Sequence, residues 1–188
     1  CRRGYDCFLC RPFLQNTKKA RKRMAVTIRK SVESDLPALL DIYNHEVEHG
    51  VATFDLKPLT LEERAVWFYE HNKENHPLIT AELDGKPVGY ASLSSFSSKA
   101  AYHSTVELSI YVAPDCRGHH IGTLLMEAIL NLAKEDPETH LVVSLITGVN
   151  EPSIALHKKY GFKYVGTIHE SGKKFGKWLD VQYWELQV

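Results

Sequence analysis

The chain has little cysteine where a disulfide would count. Four are present in 188 residues, but Cys1, Cys7 and Cys10 fall in the first ten positions. Only Cys116 remains beyond them, so no internal disulfide supports the bulk of the chain. That suits a reducing cytoplasm. No apolar run approaches the roughly 18 to 20 residues that a membrane span needs, which argues against a membrane partner. A secretory signal is missing too, since the first residues lack a 7-to-15-residue apolar stretch. Net charge is also absent: 23 Lys and Arg face 23 Asp and Glu.

The balance hides an asymmetry. Residues 1–23 hold eight Lys or Arg against one Asp, a charge of +7, and the remainder holds fifteen against twenty-two, or −7. Met24 stands directly before the first apolar-periodic stretch. Residues 1–23 are therefore read as a vector-derived or otherwise accessory leader, and 24–188 as one folded domain. The leader's Cys7-Phe-Leu-Cys10 would need a second ligand pair to hold zinc, and none follows at suitable spacing. An acidic domain makes nucleic acid a poor partner.

Periodicity gives the element order β-α-α-β-β-β-α-β-α-β-β. Val26–Lys30 is a strand. Ser34 can cap a helix through His49, with Leu36, Leu39, Leu40, Tyr43 and Val47 on one stripe and Gly50 as its stop. Thr60 and Glu63 form a capping box for a helix to about Asn72. Leu78–Leu83 turns through Asp84-Gly85, a strong hairpin signal, into Val88–Ser95. Ser104–Val112 is a further strand. A helix runs from Gly118 to about Glu135, then a buried strand over Leu141–Ile146. Asn150 can cap a short helix through Lys159. Phe162–Ile168 and Val181–Leu186 close the chain. Adjacent strands flanked by helices predict one α/β (α+β) domain with a central mixed sheet.

The richest stretch is Tyr111-Val-Ala-Pro-Asp-Cys-Arg-Gly-His-His-Ile-Gly-Thr123. A strand ends, a loop rich in Arg and Gly follows, and an amphipathic helix begins. A helix N-terminus offers unpaired amides and partial positive charge, which suits a phosphate. Arg117 adds a formal charge.

Here the sequence resembles the GNAT superfamily of N-acetyltransferases, whose pyrophosphate loop runs Arg/Gln-x-x-Gly-x-Gly/Ala after a strand. Arg117, Ile121 and Gly122 match, and His120 stands where Gly is usual. Asn150-Glu-Pro-Ser153-Ile-Ala-Leu-His157-Lys-Lys-Tyr160-Gly-Phe162 looks like the superfamily's late helix. His157 in place of a Tyr is similar to the phosphinothricin and methionine sulfone/sulfoximine acetyltransferase branch. So are Tyr43-Asn44-His45 with Thr53-Phe54, Ala101–Glu107, and Gly176–Trp184.

The resemblance implies a GNAT-like, mostly antiparallel sheet that opens between the strands ending at Val112 and Ile146. It implies acetyl-CoA as co-substrate, with no metal, a small amino-acid-like amine as acceptor, and a cytoplasmic homodimer. The pyrophosphate contacts fall to Arg117, Gly118, His119, His120, Ile121, Gly122 and Thr123. Backbone amides over Ile110, Tyr111 and Val112 serve the oxyanion, and Asn150 and Ser153 the pantetheine arm. An ammonium must lose a proton before it attacks. Glu107 is the base or water-positioner. His157 is the proton donor to the departing thiolate, or the base in its place. Phe54, Ser97, Lys99 and Tyr102 are substrate-site candidates. Lys99 stands where the branch has Arg, a point charge instead of a fork.

Two other functions fit parts of the sequence. His45-Glu46-Val-Glu-His49 fits H-E-x-x-H, a zinc hydrolase pattern, with Glu70 as a third ligand. It sits in the last turn before Gly50 and leaves the phosphate loop unexplained. A non-catalytic acyl-CoA-binding module on the same fold is the other.

Overall fold

The computed structural model describes residues 25–188. The basic leader and its Cys7–Cys10 pair lie outside the described residues. In chain order the elements are β1 Val26–Lys30, α1 Leu36–His49, α2 Leu61–Tyr69, β2 Leu78–Leu83, β3 Lys86–Ser95, β4 Thr105–Val112, α3 Ile121–Glu135, β5 Leu141–Thr147, α4 Glu151–Lys159, β6 Lys163–Lys174 and β7 Lys177–Gln187. They build a seven-stranded sheet of order β1-β2-β3-β4-β5-β7-β6. Every neighbouring pair is antiparallel except β4 and β5.

Local chemistry sets the boundaries. At Asp84-Gly85 both residues take positive φ, 49° and 79°, as a tight hairpin turn between right-twisting strands requires. Thr60 Oγ accepts from Glu63 N at 3.2 Å, and Glu63 returns a carboxylate to Thr60 N at 2.8 Å, so the capping box starts α2. Ser34 is not the cap of α1. A 3₁₀ turn over Glu33–Asp35 precedes it, where buried Asp35 accepts from Val32 N at 2.9 Å and from both Arg29 Nη atoms at 2.7 and 2.8 Å. Helix α2 ends at Tyr69, short of Asn72, whose φ of 59° is left-handed. The last hairpin is longer than periodicity indicated. Pairing resumes at Gly172 after a register shift and ends at the Phe175-Gly176 turn.

The sheet has two covered faces. On one, Ala91, Leu93, Val106 and Leu108 pack with α3 residues Leu125, Met126 and Ile129 and with Ile154 of α4. On the other, Tyr90 and Leu78 pack with Leu36, Leu39 and Ile42 of α1 and Phe68 of α2. Alternation along β4 therefore sends Val106, Leu108 and Ile110 to the α3/α4 face and Glu107, Ser109 and Tyr111 to the α1/α2 face.

Strands β4 and β5 pair only through Thr105–Glu107 against Leu141–Val143, and beyond Glu107 they part. That split makes the site.

Candidate active site

The gap opens into a cleft of about 730 Å³ that crosses the sheet. From β4 it takes Ile110, Tyr111 and Val112; from the loop and α3, Arg117, Gly118, His120, Ile121, Gly122 and Thr123; from the region of α4, Asn150, Ser153 and His157. Twelve predicted residues thus line one space. His119 does not. Among the substrate candidates Ser97, Lys99 and Tyr102 sit in the loop after β3, outside the lining. Tyr102 is exposed, edge-on to Phe96 at 5.5 Å. Phe54 also lies outside it, packed so tightly on Gly172 that a side chain there would overlap its ring. Glu107 stands one residue before the lining begins at Leu108.

The edge of β4 supplies donors. Ala113 N bonds Val88 O at 2.9 Å, so the odd-numbered residues of β4 direct their amides to β3. By the same alternation Ile110 and Val112 direct theirs into the gap that β5 has left; Tyr111 does not. At the start of α3, Leu124 N is taken by His120 O at 3.1 Å. The amides of Ile121, Gly122 and Thr123 precede it and have no helical partner. His120 takes φ 61° and ψ 11°, the left-handed conformation where Gly is easiest.

Arg117 is already oriented. Its Nε donates to Val112 O at 3.2 Å and Nη2 to Glu46, a carboxylate only 7 % exposed. Guanidinium has five N–H donors, so others stay free toward the cleft. Glu46 fits because Gly50 has no side chain: a Cβ there would overlap Glu46 Oε2. Glu46 is also the glutamate of the H-E-x-x-H pattern. In the fold His45 and His49 stack on each other at 4.6 Å while Glu46 serves Arg117. Among the described residues no three His, Cys, Asp or Glu gather for a metal.

His157 is 4 % exposed. Its Nδ1 lies 2.8 Å from Ser153 O, and its Nε2 is buried without a partner among the described residues. Burial holds its pKa below 6.5, against the opposing hydrogen bond to Ser153. Ser144 Oγ, also lining the cleft, is a second buried and unpartnered polar atom. Glu107 is half-buried, and burial raises its pKa. Asn150 spends its Oδ1 on Ser153 N at 3.3 Å to cap α4, which leaves its amide nitrogen and the Ser153 hydroxyl for a ligand.

Gly50, Val51 and Ala52, at the start of loop 50–55, also line the cleft. The loop's successive carbonyls are each held by a different strand: Val51 O by Thr147 Oγ1 at 2.5 Å, Ala52 O by Tyr111 O–H at 3.4 Å, and Thr53 O by Lys174 Nζ at 2.8 Å. Lys174 is buried and also donates to Glu46 O at 3.1 Å. No periodicity marks this lysine.

Unpaired amides, a pinned arginine and orphaned polar atoms fit a pyrophosphate with an extended polar arm. Comparisons agree. The Acetyltransferase (GNAT) family matches over residues 37–162. A phosphinothricin N-acetyltransferase of Streptomyces coelicolor is 40% identical over 85% of this chain and 95% of its own. An L-methionine sulfoximine/L-methionine sulfone acetyltransferase of Pseudomonas paraeruginosa is 34% identical over 88% and 96%. The crystal structure of a GNAT superfamily phosphinothricin acetyltransferase from Sinorhizobium meliloti in complex with AcCoA superposes with TM-score 0.81 at 33% identity, covering 88% of this chain and 89% of that one. With its split sheet and phosphate loop, this chain belongs to the GNAT acetyltransferase family.

Proposed function

We propose that this protein transfers the acetyl group of acetyl-CoA to the primary amine of a small amino-acid-like compound. The observation that carries the reading is the buried, unpartnered His157 Nε2 lining a cleft edged by unpaired strand amides. The names of the relatives point to phosphinothricin and methionine sulfone or sulfoximine as the substrate type.

Acetyl-CoA, when bound, supplies the activated acyl carbon. The amides of Ile121–Thr123 and the remaining Arg117 N–H groups hold its pyrophosphate. Ile110 and Val112 N–H donate where negative charge develops on the acyl oxygen. An ammonium has two protons to lose on the way to an amide, and the site has two acceptors. Glu107, on the α1/α2 face, takes the first. His157, on the α3/α4 face, takes the second at Nε2 and passes it to the departing sulfur. Transfer is direct, because Cys116 sits beside the phosphate loop and not at the acyl end.

Two further properties belong to the proposal. A cytoplasm supplies acetyl-CoA and keeps Cys116 reduced. A homodimer would cover Tyr164, Val165, Ile168, Phe175 and Trp178, which expose apolar surface along the β6–β7 hairpin; sedimentation tests it.

The deciding experiment is thiol release from acetyl-CoA across a panel of these amines, with and without a zinc chelator. Turnover that needs an amine and ignores the chelator is expected. Acetyl-CoA binding without turnover on any amine would favour the acyl-CoA-binding module, and loss of turnover to the chelator would return H-E-x-x-H to the argument.

A further inference from the structure

Behind Glu107 lies a polar chain that the acetyltransferase reading does not use. His71, at the end of α2 and 6 % exposed, places Nδ1 2.7 Å from Trp67 O and Nε2 2.9 Å from Ser94 Oγ. A carbonyl oxygen only accepts, so the Nδ1 atom carries the ring hydrogen. Neutral imidazole has one N–H, so Nε2 offers a lone pair and Ser94 must donate its hydroxyl hydrogen to it. Burial favours the neutral ring. Ser94 has then spent its only hydrogen, and its oxygen can only accept.

Ser94 is the cross-strand partner of Glu107. Both lie on the α1/α2 face, and directly opposed residues hold their Cβ atoms about 5 Å apart. Glu107 makes no side-chain hydrogen bond among the described residues. Two residues along the same face stands Ser109, which lines the cleft. Just beyond that end of the lining, Glu107 and Ser94 are therefore two adjacent acceptors, one charged and one neutral.

We infer that Ser94 and Glu107 together receive the substrate's ammonium group, and that His71 is the positioning residue that fixes Ser94 as an acceptor. The inference rests on the acetyltransferase reading and names its amine subsite. An ammonium brings three N–H donors, which suits a donor-free pair. Glu107 removes one proton: an N–H bond breaks and a carboxyl O–H forms. Ser94 keeps a second N–H engaged, which restricts rotation of the amine and directs the freed lone pair toward the acyl carbon. The subsite prefers a primary amine, because N-methylation removes a donor and adds bulk.

The test is steady-state kinetics of the full chain with L-methionine sulfone and phosphinothricin as probes, on Ser94→Ala, Ser94→Thr, His71→Leu, His71→Gln and the Ser94→Ala/His71→Leu pair. Ser94→Ala should raise the amine KM about tenfold or more, as loss of a hydrogen bond to a charged group does, and leave the acetyl-CoA KM unchanged. Thr keeps the hydroxyl, and Gln offers an oxygen to accept it, so both should stay within about threefold of the parent chain. His71→Leu should copy Ser94→Ala, and the double variant should be no worse than either, since residues acting through one bond are not additive. An amine KM within twofold in Ser94→Ala overturns the inference and leaves the acetyltransferase intact. Multiplying effects in the double variant overturn the role of His71. If His71→Leu does not fold, Ser94→Ala against Ser94→Thr decides alone. Absence of thiol release from the parent chain with every amine sinks both the inference and the reading under it.

Discussion

His157 Nδ1 lies 2.8 Å from the carbonyl oxygen of Ser153, one helical turn back, and that bond sets the direction in which His157 can move a proton. The carbonyl cannot donate, so the hydrogen sits on Nδ1 and Nε2 is the acceptor. Neutral His157 therefore starts as a base and becomes an acid only after it has taken a proton. His157→Ala should lower turnover roughly 10²–10⁴-fold with acetyl-CoA binding retained, the range for a positioned general acid or base. A small loss would instead assign His157 to packing on Phe162, whose ring is 4.8 Å away.

The pH profile carries the signs. Glu107 must be ionised to accept a proton, and burial raises its pKa above 4.5. His157 must be neutral, and burial lowers its pKa below 6.5. Protonation of either group removes an acceptor, so both limbs fall on the acid side. Turnover should therefore rise as pH increases and reach a plateau once both groups have lost their protons, with the Glu107 limb higher and the histidine limb lower in pH than the free side chains would give. Glu107→Gln should lower turnover more than acetyl-CoA affinity and leave only the histidine limb. An unchanged profile and rate in Glu107→Gln would remove that residue from the chemistry.

Gly50→Ala tests how Arg117 is held. Gly50 is extended, with φ −116° and ψ 178°, so alanine suits the backbone. The added methyl collides with Glu46 instead, and Glu46 is what pins the guanidinium. Acetyl-CoA should bind about tenfold more weakly, the loss expected for a disordered charge-assisted contact. The amine KM should change less. Isothermal titration with acetyl-CoA reads the first effect directly, and an unaltered affinity would show that Arg117 needs no partner.

The phosphate loop and α4 were legible because each has a local signature: a Gly- and Arg-rich turn before a helical stripe, or an Asn ahead of Pro and Ser; the split of the sheet followed only from the family resemblance. Partners far apart in sequence were not legible. Glu46 and Arg117 are 71 residues apart, Lys174 and Thr53 121, His71 and Ser94 23. Their pairing is a product of topology, and no periodicity encodes it. Glu46 shows the hazard best. A five-residue pattern on one helix offered it a metal, while the fold gave it an arginine. The start of α1 was misplaced for a related reason: Asp35 spends its carboxylate on Arg29 of β1, a tertiary contact that outweighs the local preference for Ser34 as cap.

Lys174 offers a stability test in the same loop. Its ammonium is buried against Glu46 O and Thr53 O, and burial lowers its pKa. Lys174→Met keeps the volume but strips Thr53 O of its donor and leaves Glu46 O with the Gly50 N–H alone. Leaving the Thr53 carbonyl unpaired should cost about 1–3 kcal/mol in chemical denaturation. Because Thr53 follows Val51 and Ala52, which wall the cleft, the variant should also raise KM values. Full stability in Lys174→Met would mean that water replaces the lysine at no cost.

His120 poses the opposite question, whether a side chain harms the loop that carries it. Its φ of 61° places Cβ close to the following carbonyl, a strain of about 1 kcal/mol that Gly avoids. His tolerates this region better than a branched residue, and no side-chain cap bond to α3 offsets the strain. What the loop uses is the backbone: His120 O accepts from Leu124 N at 3.1 Å, and that bond starts the helix. His120→Gly keeps it. Part of the relief is returned because glycine gives the unfolded chain more freedom, so the net gain should be below about 1 kcal/mol, or a few degrees in Tm. Acetyl-CoA affinity should hold or rise, since the amides that face the pyrophosphate are unchanged. His120→Val, with a branched carbon in the same conformation, should melt lower than the parent chain. If His120→Gly instead weakens acetyl-CoA binding without lowering Tm, the imidazole itself touches the ligand, and the departure from Gly at this position is a contact and not a defect.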